Sequence, residues 1–169
     1  MAVLVAAGCG LPAEPTARAV ASEEAVAATV PAEPTSTGIV QIYLVRDDHL
    51  VPVDRAGSSA TDALGLLAAG PTPLDTQAGL GTALPPGLIR RTTRPDGGVL
   101  TVDVTPEFAT LSPGDQLLAA AQVVWTATGV CCGTHVRVLA VGVPVAVPTD
   151  GGLADRPVGR DDYRSLAPH

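Results

Sequence analysis

Leu88-Ile-Arg-Arg-Thr-Thr-Arg94, Pro95-Asp96-Gly97-Gly98 and Val99-Leu-Thr-Val-Asp-Val104 are consecutive, and their reading decides how this chain folds. Two strand-like runs flank a Pro-Asp-Gly stretch in which Pro supplies a fixed φ, Asp a side-chain acceptor and Gly a residue tolerant of positive φ. The pattern predicts a β-hairpin. Leu100, Val102 and Val104 then share a buried face, and Thr101 and Asp103 lie on the other. On the first strand, alternation puts Arg90, Thr92 and Arg94 on one side and Arg91 on the other, a solvated hairpin face.

Upstream, Gly38-Ile-Val-Gln-Ile-Tyr-Leu-Val-Arg46 alternates Val40, Ile42 and Leu44 against Gln41 and Tyr43. Asp47-Asp48 interrupts it before Leu50-Val51-Pro52-Val53. This is a second hairpin, and Pro52, which cannot donate to a ladder, places its strand at an edge or at a bulge. Ser59 with Asp62 approximates a capping box, Leu64, Leu67 and Ala68 share a face, and Gly70-Pro71 ends the pattern, so a helix of roughly ten residues is expected. Residues 72–87 hold three Pro and three Gly without a regular period and read as a long loop, pinned by Leu80 and Leu84. Within it Asp75, Gln77 and Thr82 are the candidate binding residues.

Downstream, Ser112-Pro113-Gly114-Asp115 is a strong helix start. Leu117, Ala121, Val124 and Thr128 then form one stripe up to Gly129. Gln122 inside that apolar helix reads as a polar group bonding to the backbone of the neighbouring loop. His135 to Val141 and Val143 to Val147 close the pattern as a strand and a short edge strand. The order β-β-α, loop, β-β-α, β-β implies an α+β fold, a mostly antiparallel sheet with two helices packed on one face.

That folded part, residues 38–149, is one domain's worth of chain. Four aromatic residues in 169 leave Val, Leu, Ile and Ala to fill the core. A net charge of −7 excludes nucleic acid as a partner, because phosphate binding needs a concentrated basic surface. All ten basic residues are Arg, so Ser-Lys dyads, Schiff bases and phosphate-loop lysines are excluded together.

Met1-Ala-Val-Leu-Val-Ala-Ala-Gly-Cys9 is a short apolar run ending in small residues before a cysteine, and it resembles the bacterial lipobox. In that motif the cysteine thiol receives a diacylglycerol and the peptidase cuts before it. Residues 1–8 are then a signal-peptide remnant, short and without the basic n-region, as a start codon placed too late would leave it. Cys9 becomes the lipid-bearing first residue, with palmitate-type acyl chains. Residues 9–37, rich in Ala, Pro, Glu and Thr, lack the large apolar side chains needed to offset ordering entropy and read as a disordered, extended tether. The expected location is the extracytoplasmic face of the cell membrane. Residues 150–169 form a C-terminal tail, with Tyr163 either docked on the domain or frayed from it.

From about Gln41 to Pro148 the chain resembles the GerMN domain of spore germination and sporulation proteins. The resemblance rests on Ile42-Tyr43-Leu44-Val45, Leu66-Leu67-Ala68-Ala69-Gly70-Pro71-Thr72, Leu80-Gly81-Thr82-Ala83-Leu84-Pro85-Pro86-Gly87, Gly98 to Val104 with Phe108, and Ala121-Gln122-Val123-Val124-Trp125-Thr126. Actinobacterial lipoproteins often combine a lipobox, a spacer and one such domain. The resemblance implies an α+β fold and an extracytoplasmic, non-enzymatic role in binding or assembly at the cell envelope, and it identifies no ligand. The expected partner is an envelope protein or peptidoglycan, and no cofactor is expected. It departs from the family at Gly129-Val-Cys131-Cys132-Gly133.

No Ser lies in a Gly-x-Ser-x-Gly turn. The alternative function is a small cell-wall hydrolase using Asp103 and Glu107 as a carboxylate pair, against which stands a solvated strand face followed by a turn acid. Cys131, Cys132 and His135 do not have zinc-ligand spacing, so no metal is expected. Adjacent Cα atoms are too close for ordinary disulfide geometry, which leaves free thiols or an intermolecular bridge.

Overall fold

The computed structural model describes residues 38–93, 96–130 and 135–169. Its α+β architecture is the expected one. Strands β1 (Ile39–Arg46) and β2 (His49–Ala56) form an antiparallel hairpin closed by Arg46 opposite His49. Asp47 and Asp48 both take left-handed φ, 50° and 59°, as a two-residue turn of this hand requires.

The other edge of β1 is satisfied by side chains of the long helix that follows and by the backbone of the loop at Gly81. Thr126 Oγ1 accepts from the Tyr43 N–H at 3.1 Å, Gln122 Nε2 donates to the Tyr43 carbonyl at 2.8 Å, and Val45 exchanges two backbone bonds with Gly81. Tyr43 therefore directs its backbone away from β2. Pro52, opposite Tyr43, occupies a position where no ladder bond to β1 is needed, and its ring faces the free edge of β2. The proline costs the hairpin nothing and blocks the addition of a further strand there.

Helix α1 (Ala60–Ala68) starts as expected, with the Ser59 hydroxyl accepting from the Asp62 N–H. The expected loop 72–87 contains a short helix, α2 (Pro73–Gln77). Thr72 and Asp75 cap it reciprocally, a two-residue signal too short to show as apolar periodicity. Leu80, Leu84 and Leu88 do bury into the core.

Strands β3 (Ile89–Thr92) and β4 (Val99–Val104) form the central hairpin, with Gly97 and Gly98 in left-handed φ at its turn. A bulge between Ile89 and Arg91 breaks the alternation, so Arg90 and Arg91 are both exposed. Leu100, Val102 and Val104 are buried. After a 3₁₀ turn at Pro106–Thr110, helix α3 (Pro113–Gly129) leads to β5 (His135–Ala140).

Here the structure adds to the expected antiparallel arrangement, because β5 lies parallel to β4, with Val99 beside His135 and Val104 beside Ala140. A 17-residue helix between two strands returns the chain to the end at which it started, and that geometry imposes parallel pairing. The sheet is also divided. β1-β2, β3-β4-β5-β6 and β7-β8 are separate, with β6 (Val143–Pro144), β7 (Val147–Thr149) and β8 (Gly152–Ala154) all short.

Helix α3 carries more than the one buried stripe read from its sequence. Ala119 to Val124, Thr126 and Ala127 are all buried, which requires cover on several sides. The C-terminal segment supplies part of it. Val158 exchanges backbone bonds of 2.8 and 2.9 Å with Val136, and a kinked 3₁₀ segment, Arg160–Leu166, brings Tyr163 to 0% exposure. Of the two readings of residues 150–169, docking is the observed one.

Between β5 and β6 the turn is Val141-Gly142, with φ of 53° and 80°, and Val141 is 56% exposed. A β-branched residue in left-handed backbone is strained by roughly 1–2 kcal/mol. Replacing Val141 by Asn, which tolerates this region, is expected to raise unfolding free energy by about 0.5–1 kcal/mol with an unchanged urea m-value. A loss of stability would show that the valine side chain makes a contact worth more than the strain.

Candidate functional site

The α2 loop packs against the β1-β2 hairpin, and its polar residues have internal work. Asp75, 7% exposed, accepts from the Thr72 N–H and Thr72 hydroxyl, both at 2.7 Å, and forms an ion pair with Arg55 of β2. The Thr72 hydroxyl first, then Arg55, lower its pKa from 3.8 to about 2. The folded value is below the unfolded one, so this contribution is complete above pH 4 or so and is lost as pH falls from about 4 through about 2. Thermal unfolding across that window should show a stability loss that is reduced in Asp75→Asn, and an identical acid limb in both proteins would contradict the assignment.

Thr82 donates to Gln122 Oε1 at 3.2 Å and accepts from the Leu84 N–H at 3.1 Å. Gln122, fully buried, also accepts from the Ala83 N–H at 2.8 Å. The bond from its helix to the neighbouring loop backbone is thus the one its sequence position suggested. Gln77 stands apart from Asp75 and Thr82, exposed at the end of α2 beside the 75%-exposed Leu74. Two of the three candidate residues hold the loop, and one is presented to solvent.

Asp103 and Glu107 are also engaged. Asp103 Oδ1 accepts from the Gly142 N–H at 2.9 Å, fastening the strained β5-β6 turn to β4. The Thr105 hydroxyl, then its own backbone N–H, hold the Glu107 carboxyl below its ordinary range, with a smaller effect from Arg90. A glycosidase acid needs the opposite shift, a carboxyl raised so that it keeps its proton near neutrality.

A shallow groove of about 320 Å³ lies at the β1-β2 tip, lined by Arg46, Asp47, His49, Leu50, Val51, Pro52 and His169. Among the described residues no three His, Cys, Asp or Glu side chains form a metal-holding group. Cys9, Cys131 and Cys132 lie outside the described residues, and His135 is exposed at the start of β5. No helix among the described residues is long and apolar enough to cross a membrane.

Sequence reasoning missed a second cluster. Tyr43 and Trp125 lie with ring centroids 5.4 Å apart, and the Arg160 guanidinium lies over both. Its signal was weak, one arginine three residues before Tyr163 in a tail without periodicity.

The sequence model of the Germane family, described as sporulation and spore germination, matches residues 18–146. The chain belongs to the Germane family. It is 38% identical over 142 residues to lipoprotein LpqB of Cutibacterium acnes, a match that covers 79% of this chain and 23% of LpqB. The chain thus spans less than a quarter of that relative's length. Its fold is similar to the first GerMN domain of the sporulation protein GerM from Bacillus subtilis, with a TM-score of 0.59 at 19% identity, covering 74% of this chain and 99% of that one. The tandem GerMN domains of the same protein give 0.58 at 18% identity, covering 74% and 47%. The Germane match ends before β7, so the strap, residues 155–169, which carries the buried Tyr163, lies beyond it.

Proposed function

We propose that this Germane-family chain is a lipid-anchored, extracytoplasmic module that binds or scaffolds at the cell envelope without catalysing a reaction, with Cys9 as the acylated residue. The observation that carries the reading is its 38% identity to a protein named as a lipoprotein, together with the apolar run ending at Cys9. The partner is an envelope protein or peptidoglycan, met by the exposed part of the α2 loop, Leu74 and Gln77, while Asp75 and Thr82 hold that loop in shape. The engagement of Asp103 with a turn amide and the lowered pKa of Glu107 support a non-catalytic role.

Incubation of the full chain with purified wall polymer tests this. No turnover is expected, whereas polymer should be retained or an envelope protein crosslinked, and Leu74→Ser with Gln77→Ala should weaken that retention. Release of soluble fragments that disappears in Asp103→Asn would overturn the proposal in favour of a hydrolase.

A further inference from the structure

The strap after β8 carries three arginines, and two of them are spent locally. Arg156 pairs with Asp162 and Arg164 with Asp161, all within the strap. Arg160 instead reaches the body. Its guanidinium carbon is 4.6 Å from the Trp125 ring centroid and 5.5 Å from that of Tyr43. Nη2 donates to the Trp125 carbonyl and Nε to Thr128 Oγ1, each at 2.9 Å.

The receiving surface is shaped for this group. Thr128 donates its own proton to the Val124 carbonyl at 2.7 Å, which leaves a lone pair of its oxygen for Arg160. The Trp125 carbonyl belongs to the end of α3, the negative pole of the helix, and the last turn of α3 has no basic residue of its own. Gly129 leaves room, since a Cβ there would stand 3.0 Å from Nη2 and 3.8 Å from the Tyr43 ring. Two π-faces, two acceptors and a helix C-terminus suit a flat, weakly hydrated cation better than a compact ammonium ion.

We infer that the end of α3, with Tyr43 and Trp125, is a guanidinium-binding site that the chain fills with its own Arg160, so that the strap is latched to the body through an arginine-recognition site. Its ligand class is an alkylguanidinium, the side chain of arginine. Val158 against Val136 and buried Tyr163 fix the strap on either side of the latch.

Trp125 is the chain's single tryptophan, so its emission reports on this site directly. In the full chain carrying Arg160→Ala, methylguanidinium at tens of millimolar is expected to shift the Trp125 emission and recover several degrees of the lost melting temperature. Methylammonium at equal ionic strength should do neither, and the unsubstituted chain should not respond. Equal responses to the two cations, or an equal response in the unsubstituted chain, would overturn the inference. Should Arg160→Ala not fold, Arg160→Lys provides the second test. An ammonium ion cannot lie flat on the ring while bonding both acceptors, so amides of residues 158–166 should exchange about tenfold faster than in the unsubstituted chain. Unchanged exchange would mean that charge alone holds the strap.

Discussion

Replacing Tyr163 by Ala is expected to lower the unfolding free energy by about 4 kcal/mol, the range for truncating a fully buried aromatic side chain. The ring belongs to a segment with no periodic pattern yet lies at 0% exposure, and burial, followed by the charges of Asp162 and Asp150, pushes its phenol pKa up. Its hydroxyl has no hydrogen-bond partner among the described residues. The ring therefore carries the stabilisation. Tyr163→Phe removes a buried polar atom without opening a cavity and should remain within about 1 kcal/mol of the parent chain, or exceed it. Urea unfolding of the three proteins separates the contributions. If Phe proved as costly as Ala, the hydroxyl would be the anchor and this account of the strap would be wrong.

The second large effect is at Gln122. Its side chain donates to the Tyr43 carbonyl and accepts from the Ala83 N–H and the Thr82 hydroxyl, joining α3, β1 and the α2 loop at one buried point. Leu fills a similar volume but leaves the backbone groups of Tyr43 and Ala83 without these partners. Each unsatisfied group costs about 1–3 kcal/mol, so Gln122→Leu should destabilise by about 3 kcal/mol and lower the melting temperature by roughly 10 °C. The exposed Gln77 gives the control, with Gln77→Leu expected within about 0.5 kcal/mol of the parent. A Gln122→Leu protein as stable as the parent would mean that the β1 edge does not depend on this side chain.

Much of the fold was readable where local chemistry decides structure. Ser59 and Ser112 begin helices because their hydroxyls accept a backbone N–H, and Gly97-Gly98 turns a hairpin because both residues take positive φ. The pairing of β4 with β5 was not readable, because it depends on the path of α3 through space, and nothing in His135 to Ala140 specifies a parallel neighbour. Helix α2 escaped because five residues are too few for an apolar period. The docked strap was one of two open readings, because a backbone kinked at Tyr163 and a stretch rich in Gly, Asp and Pro carry no apolar period that would decide between them.

The candidate site was legible in a narrower sense. Asp75 and Thr82 do concentrate the polar chemistry of their loop, but their partners, Arg55 and Gln122, come from distant parts of the chain. Sequence spacing cannot distinguish a carboxylate offered to a ligand from one already paired. The same holds for Asp103, whose partner is the amide of Gly142 in the β5-β6 turn.

Envelope attachment is the claim on which the functional reading depends, and the mass of the N-terminal peptide from the protein made in an actinobacterial host tests it most directly. The mature chain is expected to begin at Cys9, to carry a thioether-linked diacylglycerol and to be recovered with the membrane fraction, and the Cys9→Ser chain to lack acyl mass. An unacylated N-terminus recovered from the cytosol would contradict envelope attachment.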